Sequence, residues 1–246
     1  MRHFQTLLLA LLLISAPNIA TPLTNEQPAP ERYRGHMVQG IQYIGDETYL
    51  LGGAATLITP TVMVGAAHIQ PALPLINDIF VCPEASPDPP TCQRIEIADI
   101  VTHPDWDPSN LSDPNDVAVF LLEEPIHGVP LAVLPPVGFL DQTLDSDQAY
   151  FTLVGFGRTD PSDLDSAGSR NMGKAFDALV EPGSVIFFDE FGASLCVGDS
   201  GAAAYYKQSM MLVGIGSFLL GADCEVSGAT RLDTASARAF LDPFVP

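Results

Sequence analysis

Positive charge is scarce in this chain. Its 246 residues carry 10 Lys and Arg against 30 Asp and Glu, a formal net charge of −20 at pH 7. Such a surface repels phosphate and excludes nucleic acid as a partner. Long apolar runs are missing after the first twenty residues. Nothing there could cross a bilayer, which takes about 20 apolar residues, so no membrane partner is expected once that leader is gone. Cysteine is sparse: only Cys82, Cys92, Cys196 and Cys224 occur. None has zinc-site spacing with histidines nearby, so neither a metal nor another cofactor is expected. Helical periodicity is nearly absent and appears only over Thr234–Leu241. There Thr234 can cap, and Ala237, Phe240 and Leu241 form an apolar face. No internal repeat or low-complexity tract appears.

What is present begins with a secretory signal over residues 1–20. It has a basic start at Arg2 and His3, an apolar core from Leu7 to Ile14, and a small residue at Ala20. The mature protein is therefore expected outside the cytosol, extracellular or periplasmic, where four cysteines form two disulfides. Three connectivities are possible. Residues 21–35 are rich in Pro, Glu and Gln without apolar period, and read as a flexible leader or propeptide.

Beyond them the chain alternates short β-prone runs with turns. The first set of expected strands is Gln39–Ile44, Ala54–Thr59, Val62–Gly65, Asp78–Cys82, Ile95–Val101 and Val117–Leu122. The second is Tyr150–Gly155, Lys174–Val180, Ser184–Phe188, Ala202–Tyr206, Met211–Ser217 and Ala229–Leu232. Many short strands with turn signals point to an all-β fold of barrels or sandwiches. The Pro-rich stretch Pro125–Gly138 divides the chain, which places one β-domain over 36–130 and another over 131–246.

Three short segments carry chemistry. Gly65-Ala66-Ala67-His68 follows an apolar run. Asn115-Asp116 opens the run Val117–Leu122. Cys196-Val197-Gly198-Asp199-Ser200-Gly201 lies near the end. Histidine, aspartate and serine in that order make a candidate catalytic triad, brought together only by a tertiary fold. A serine hydroxyl needs a base to take its proton as it attacks a carbonyl, and imidazole suits that task near neutral pH. His36, in the leader region, and His103 and His127, in turn-like segments, read as structural or surface residues.

These segments resemble the chymotrypsin/trypsin-like serine peptidase family, with its Thr-Ala-Ala-His-Cys, Asp-Ile-Ala-Leu-Leu and Gly-Asp-Ser-Gly-Gly-Pro patterns. Gly155-Phe156-Gly157 and Val213-Gly214-Ile215-Gly216-Ser217-Phe218 extend the likeness, which runs from about Val38 to about Leu241. The resemblance implies two packed six-stranded antiparallel β-barrels and a short C-terminal helix. It also implies a secreted, monomeric endopeptidase acting on proteins and peptides, and open to proteinaceous inhibitors. His68, Asp116 and Ser200 would be catalytic, and Gly198 and Ser200 would form the oxyanion hole. Asp199 would orient the nucleophile loop through a buried ion pair. Cys196–Cys224 would tie that loop to the specificity pocket, leaving Cys82–Cys92 as the second bridge. Ser194, Ser217, Phe218, Leu219 and Gly228 would line the pocket.

The sequence departs from the family in places. Ile69 stands where the family has a cysteine beside the histidine, and apolar packing is expected to replace that bridge. Met37-Val38-Gln39-Gly40 is the nearest text to the family's activated N-terminus, with Arg34 before it. Ser194 puts no charge at the pocket base, Leu219 replaces a glycine and narrows the pocket, and Asp223 is near enough to restore a charge. Small or medium apolar residues are therefore expected before the cleaved bond. The alternative is a catalytically silent relative that binds partners through the same cleft.

Overall fold

The computed structural model describes residues 27–43, 49–70, 76–87, 91–110, 112–143, 149–221 and 223–245. The expected signal over 1–20 lies outside them. Six strands close a first antiparallel barrel: β2 (His36–Tyr43), β3 (Tyr49–Thr59), β4 (Val62–Gly65), β5 (Ile76–Cys82), β6 (Ile95–Thr102) and β7 (Ala118–Leu122). Their order around the ring is β2-β3-β4-β7-β6-β5. The strands are continuous apolar runs where both faces are covered. In β4 all four residues are buried, and β7 exposes only Leu121 in part.

The second half is an eight-stranded antiparallel sheet. Its strands are β1 (Gln27–Pro28), β8 (Tyr150–Gly155), β9 (Asn171–Phe176), β10 (Leu179–Val180), β11 (Ser184–Phe188), β12 (Ala203–Tyr206), β13 (Leu212–Leu220) and β14 (Val226–Arg231). Six central strands run β9-β8-β12-β13-β14-β11. Two two-residue strands extend the edges. The expected strand Lys174–Val180 is broken in two because Asp177 takes a positive φ of 49°, which ends the ladder and starts a new one. A helix, α2 (Ala235–Leu241), follows β14. Thr234 caps it by accepting a hydrogen bond from Ala237 N, and Ala237 and Leu241 are buried. A second helix, α1 (Phe139–Thr143), is a single turn that buries Leu140 and has no marked helical period in the sequence.

One apolar cluster crosses from barrel to sheet. It joins Met37, Leu57, Met63 and Phe120 of the first half to Val154, Met172, Tyr205 and Ile215 of the second. The halves therefore share a core, and the cleft between them is fixed by packing rather than by a linker. A separate cluster around Phe151, Leu153, Phe187 and Val213 fills the second half alone.

Of the segment 21–35, expected as a flexible leader or propeptide, residues from Gln27 onward pack against the second half; residues 21–26 lie outside the described residues. Gln27 and Pro28 pair with Met172 and Asn171 of β9. A 3-10 turn, Glu31–Tyr33, then places the Tyr33 ring 4.9 Å from that of Tyr205, with no exposed surface. A single aromatic anchor binds a segment whose composition otherwise reads as coil. Met37-Val38-Gln39-Gly40, compared above with an activated N-terminus, lies inside β2 and pairs with β3 and β5 on either side. It is barrel wall, not chain end. His36 and His103 are buried, the first bonded to Thr56 and the second to Ser236.

Candidate active site

β4 ends at Gly65, and a 3-10 turn, Ala67–Ile69, follows at once. That turn buries Ala67 and Ile69 in the first barrel and leaves the His68 ring between them, a third exposed, facing the second half. Ile69 packs in the shared core, where the family's disulfide would lie, and a Cβ on Gly53 would press on its side chain. Asp116 stands one residue before Val117, where a tight turn leads into β7. Its Oδ1 accepts from His68 N at 2.9 Å. Its Oδ2 accepts from Ser217 Oγ at 2.5 Å and lies 2.7 Å from His68 Nδ1.

Burial would raise the Asp116 carboxyl out of the usual carboxylate range. The hydrogen bonds and charge of His68, with the Ser217 hydroxyl, outweigh it and hold the group below that range. An ionised carboxylate only accepts. His68 Nδ1 therefore carries the proton and donates to Asp116, and in the neutral ring Nε2 keeps its lone pair. That lone pair faces Ser200 Oγ at 2.7 Å.

Ser200 sits on a loop held from several sides. Its carbonyl accepts from Ala54 N of the first barrel at 2.8 Å. Gly201 N donates to Gly216 O at 2.8 Å. The buried Asp199 carboxylate accepts from Gly157 N at 2.8 Å and from Cys196 N at 2.9 Å. A Cβ on Gly155 or Gly157 would overlap that carboxylate, which is why glycine flanks Phe156 on both sides. The Val197 carbonyl accepts from Arg158 N at 2.9 Å. In a trans peptide this turns Gly198 N–H the opposite way. Gly198 has φ +97°, a conformation that favours glycine. Neither Gly198 N–H nor Ser200 N–H has a partner among the described residues. The disulfides are Cys82–Cys92 and Cys196–Cys224.

The cleft, about 380 Å³, is lined by His68, Asp116, Gly198, Asp199, Ser200, Ser217, Phe218 and Leu219. Trp106, Pro108, Asn110, Leu195 and Val197 also line it. As sequence, Asp105-Trp106-Asp107-Pro108 reads as a turn separating strands. The available signal was that Trp106 is the sole tryptophan, ten residues before Asp116.

Two expected pocket residues do not line the cleft. Ser194 is fully buried with its Oγ 2.7 Å from Ser227 Oγ, which also accepts from Leu195 N. Gly228 is corrected by register. Across β13 and β14, Leu219 pairs with Ser227 and Phe218 with Gly228. Directly opposed residues share a face and neighbours alternate. Ser227, not Gly228, thus shares a face with Leu219 and reaches Ser194, while the Phe218 ring lies over Gly228 on the other face. Asp223 is exposed and does not line the cleft. Among the described residues, the one group of Cys, His or acidic side chains close enough to share a metal is Cys82, Glu84 and Cys92, whose sulfurs are joined in the disulfide.

No curated protein matches this chain significantly. A solved structure described as HL collagenase superposes with a TM-score of 0.67 at 18% identity, covering 89% of this chain and 96% of that one. At that identity the likeness speaks for the fold. The Trypsin family matches residues 26–238, most of the chain. With that span, the chain belongs to the trypsin family.

Proposed function

We propose that this trypsin-like serine peptidase is an exported endopeptidase working through His68, Asp116 and Ser200. The carrying observation is the unbroken line Asp116 Oδ2, His68 Nδ1, His68 Nε2, Ser200 Oγ, with both contacts at 2.7 Å. Ser200 Oγ attacks the scissile carbonyl carbon and its proton passes to His68 Nε2. The negative charge formed on the carbonyl oxygen is taken by Gly198 N–H and Ser200 N–H. The imidazolium, steadied by Asp116, returns the proton to the leaving amine as the C–N bond breaks. Water, deprotonated by the same His68, then hydrolyses the Ser200 ester. Asp199 acts through the loop rather than on substrate.

Behind the cleft wall lies the buried hydroxyl pair Ser194–Ser227, with no charge, and Leu219, which lines the cleft, shares a face with Ser227. A cationic side chain would enter without a partner, which is strongly disfavoured. We therefore assign preference for small or medium apolar residues before the cleaved bond. Protein and peptide substrates, a monomeric state, sensitivity to proteinaceous inhibitors and export belong to the same reading. The test is covalent labelling by a fluorophosphonate. Wild type is expected to label at Ser200, and Ser200→Ala to lose both label and peptide turnover at an unchanged unfolding midpoint. Labelling of the variant at another serine would refute the assignment.

A further inference from the structure

Among the described residues two arginines are buried to 4% exposure or less, and they are treated differently. Arg231, in β14, is fully provided for. Nε and Nη2 donate to the two oxygens of Asp233 at 2.8 and 2.9 Å, and Asp141 adds a second carboxylate at 2.9 Å. Arg170 lies just before β9, at the junction of the barrel, the sheet and the N-terminal strap formed by Gln27–Tyr33. Its Nη1 donates to the carbonyls of His36 and Pro83, and its Nε–H has no partner. Among the described residues no carboxylate forms an ion pair with it. Glu31 acts on it only at longer range, opposed by Arg34. A buried cation without a counter-charge is unfavourable, and native proteins rarely leave one so.

The groups around Arg170 share its deficit. Tyr33 OH and Tyr205 OH are buried, Tyr205 OH beside the Thr56 hydroxyl and neither in a well-formed hydrogen bond, and their rings lie 4.9 Å apart. His36 is fully buried, with Nδ1 at 2.8 Å from Thr56 Oγ1 and Nε2 unpartnered. When Thr56 donates to Nδ1, Nε2 carries the proton. The orphans are then a guanidinium N–H, an imidazole N–H and two phenol O–H groups, all able to donate. Four such donors around one junction, beside a cation without an ion-pair partner, fit a negative ligand. Their burial admits only a small one.

We propose that the barrel junction binds a small monovalent anion, with chloride as its physiological form, held by Arg170 Nε–H and the Tyr33 and Tyr205 hydroxyls. The anion would pin the strap, through Tyr33, to the second half, through Arg170 and Tyr205. The chain's net charge of −20 rejects anions in general, so saturable stabilisation by chloride would mark a specific site.

Thermal unfolding of the full secreted protein tests this, with sodium chloride replaced stepwise by sodium gluconate at constant ionic strength. Gluconate is too large to enter. Chloride is expected to raise the midpoint saturably, by about 3 °C or more near 0.2 M. Arg170→Met should abolish the dependence and Tyr205→Phe should weaken it. Crystals soaked in bromide should show an anomalous peak within hydrogen-bond reach of Arg170 Nε, a readout that stands if Arg170→Met does not fold. Equal midpoints in chloride and gluconate, or bromide-soaked crystals with only water at the junction, would overturn the proposal.

Discussion

The two halves of the molecule supply the cleft in different ways. The first is a closed six-stranded ring, and its contributions lie within three residues of strand ends. His68 follows the end of β4, and Asp116 precedes β7. The second half is an eight-stranded sheet whose contribution is a loop, residues 193–202, carrying Ser200. That loop is held by the Cys196–Cys224 bridge, the Asp199 carboxylate and hydrogen bonds from both halves. A strand end needs only a packed neighbour to be accurate. A loop needs every backbone donor and acceptor met, and glycines where the chain approaches itself. The difference teaches where fragility lies. Damage to the first half should strike chemistry while sparing structure, and damage to the second should strike both.

The sharpest way to break that contrast is Asp116→Asn. The asparagine amide would donate toward Nδ1 and favour the wrong tautomer, so kcat should fall by about 10⁴ with little change in unfolding midpoint. A loss below tenfold, in single-turnover kinetics, would show that the first half acts otherwise. Asp199→Ala comes next. It leaves Gly157 N–H and Cys196 N–H buried without an acceptor, so kcat should fall by about 10²–10³ through the oxyanion donors. Here the midpoint should drop as well, read by calorimetry; an unchanged midpoint would erase the distinction.

Third, the two disulfides can be removed separately by paired Cys→Ser substitutions. By chain entropy, each should cost about 3 kcal/mol, slightly more for the 28-residue separation than for the 10-residue one. Only loss of Cys196–Cys224 should alter the cleavage profile of a peptide library. The smallest effect concerns His36. Burial, with Arg170 nearby, pushes its imidazole down to about 3. The unfolded ring takes its proton near 6.5, so the unfolded chain binds more protons in the window between. Stability should fall as pH drops below about 6.5, by up to one proton's dependence, in urea titrations. His36→Gln should remove that increment.

Much of this was readable in the chain. The borders Val62–Gly65, Tyr150–Gly155 and Ser184–Phe188 match the strands residue for residue, because apolar runs there are bounded by turn residues. Thr234 was legible as a cap because a hydroxyl before a helical period has one obvious use. The triad segments were legible because each joins a strand or turn signal to a reactive side chain. Gly228 was not, because which of two neighbours faces a pocket depends on β-register, and a bulge between Gly216 and Phe218 shifts it. Nor was the strap: Tyr33 is one ring in a coil-like segment, and its burial comes from Tyr205, 172 positions away. Trp106 was hidden for the same reason, since a turn sequence does not disclose what the turn overhangs.

The hydrogen bond from Ala54 N to Ser200 O has a consequence in time. His68 and Ser200 belong to different halves, and this bond across the seam forms only when the halves dock. A chain with one half folded owns no complete reactive line, so it cannot cut its neighbours while many copies are folding together. Docking works as an interlock: the blade is assembled by the same event that buries the last of the shared core.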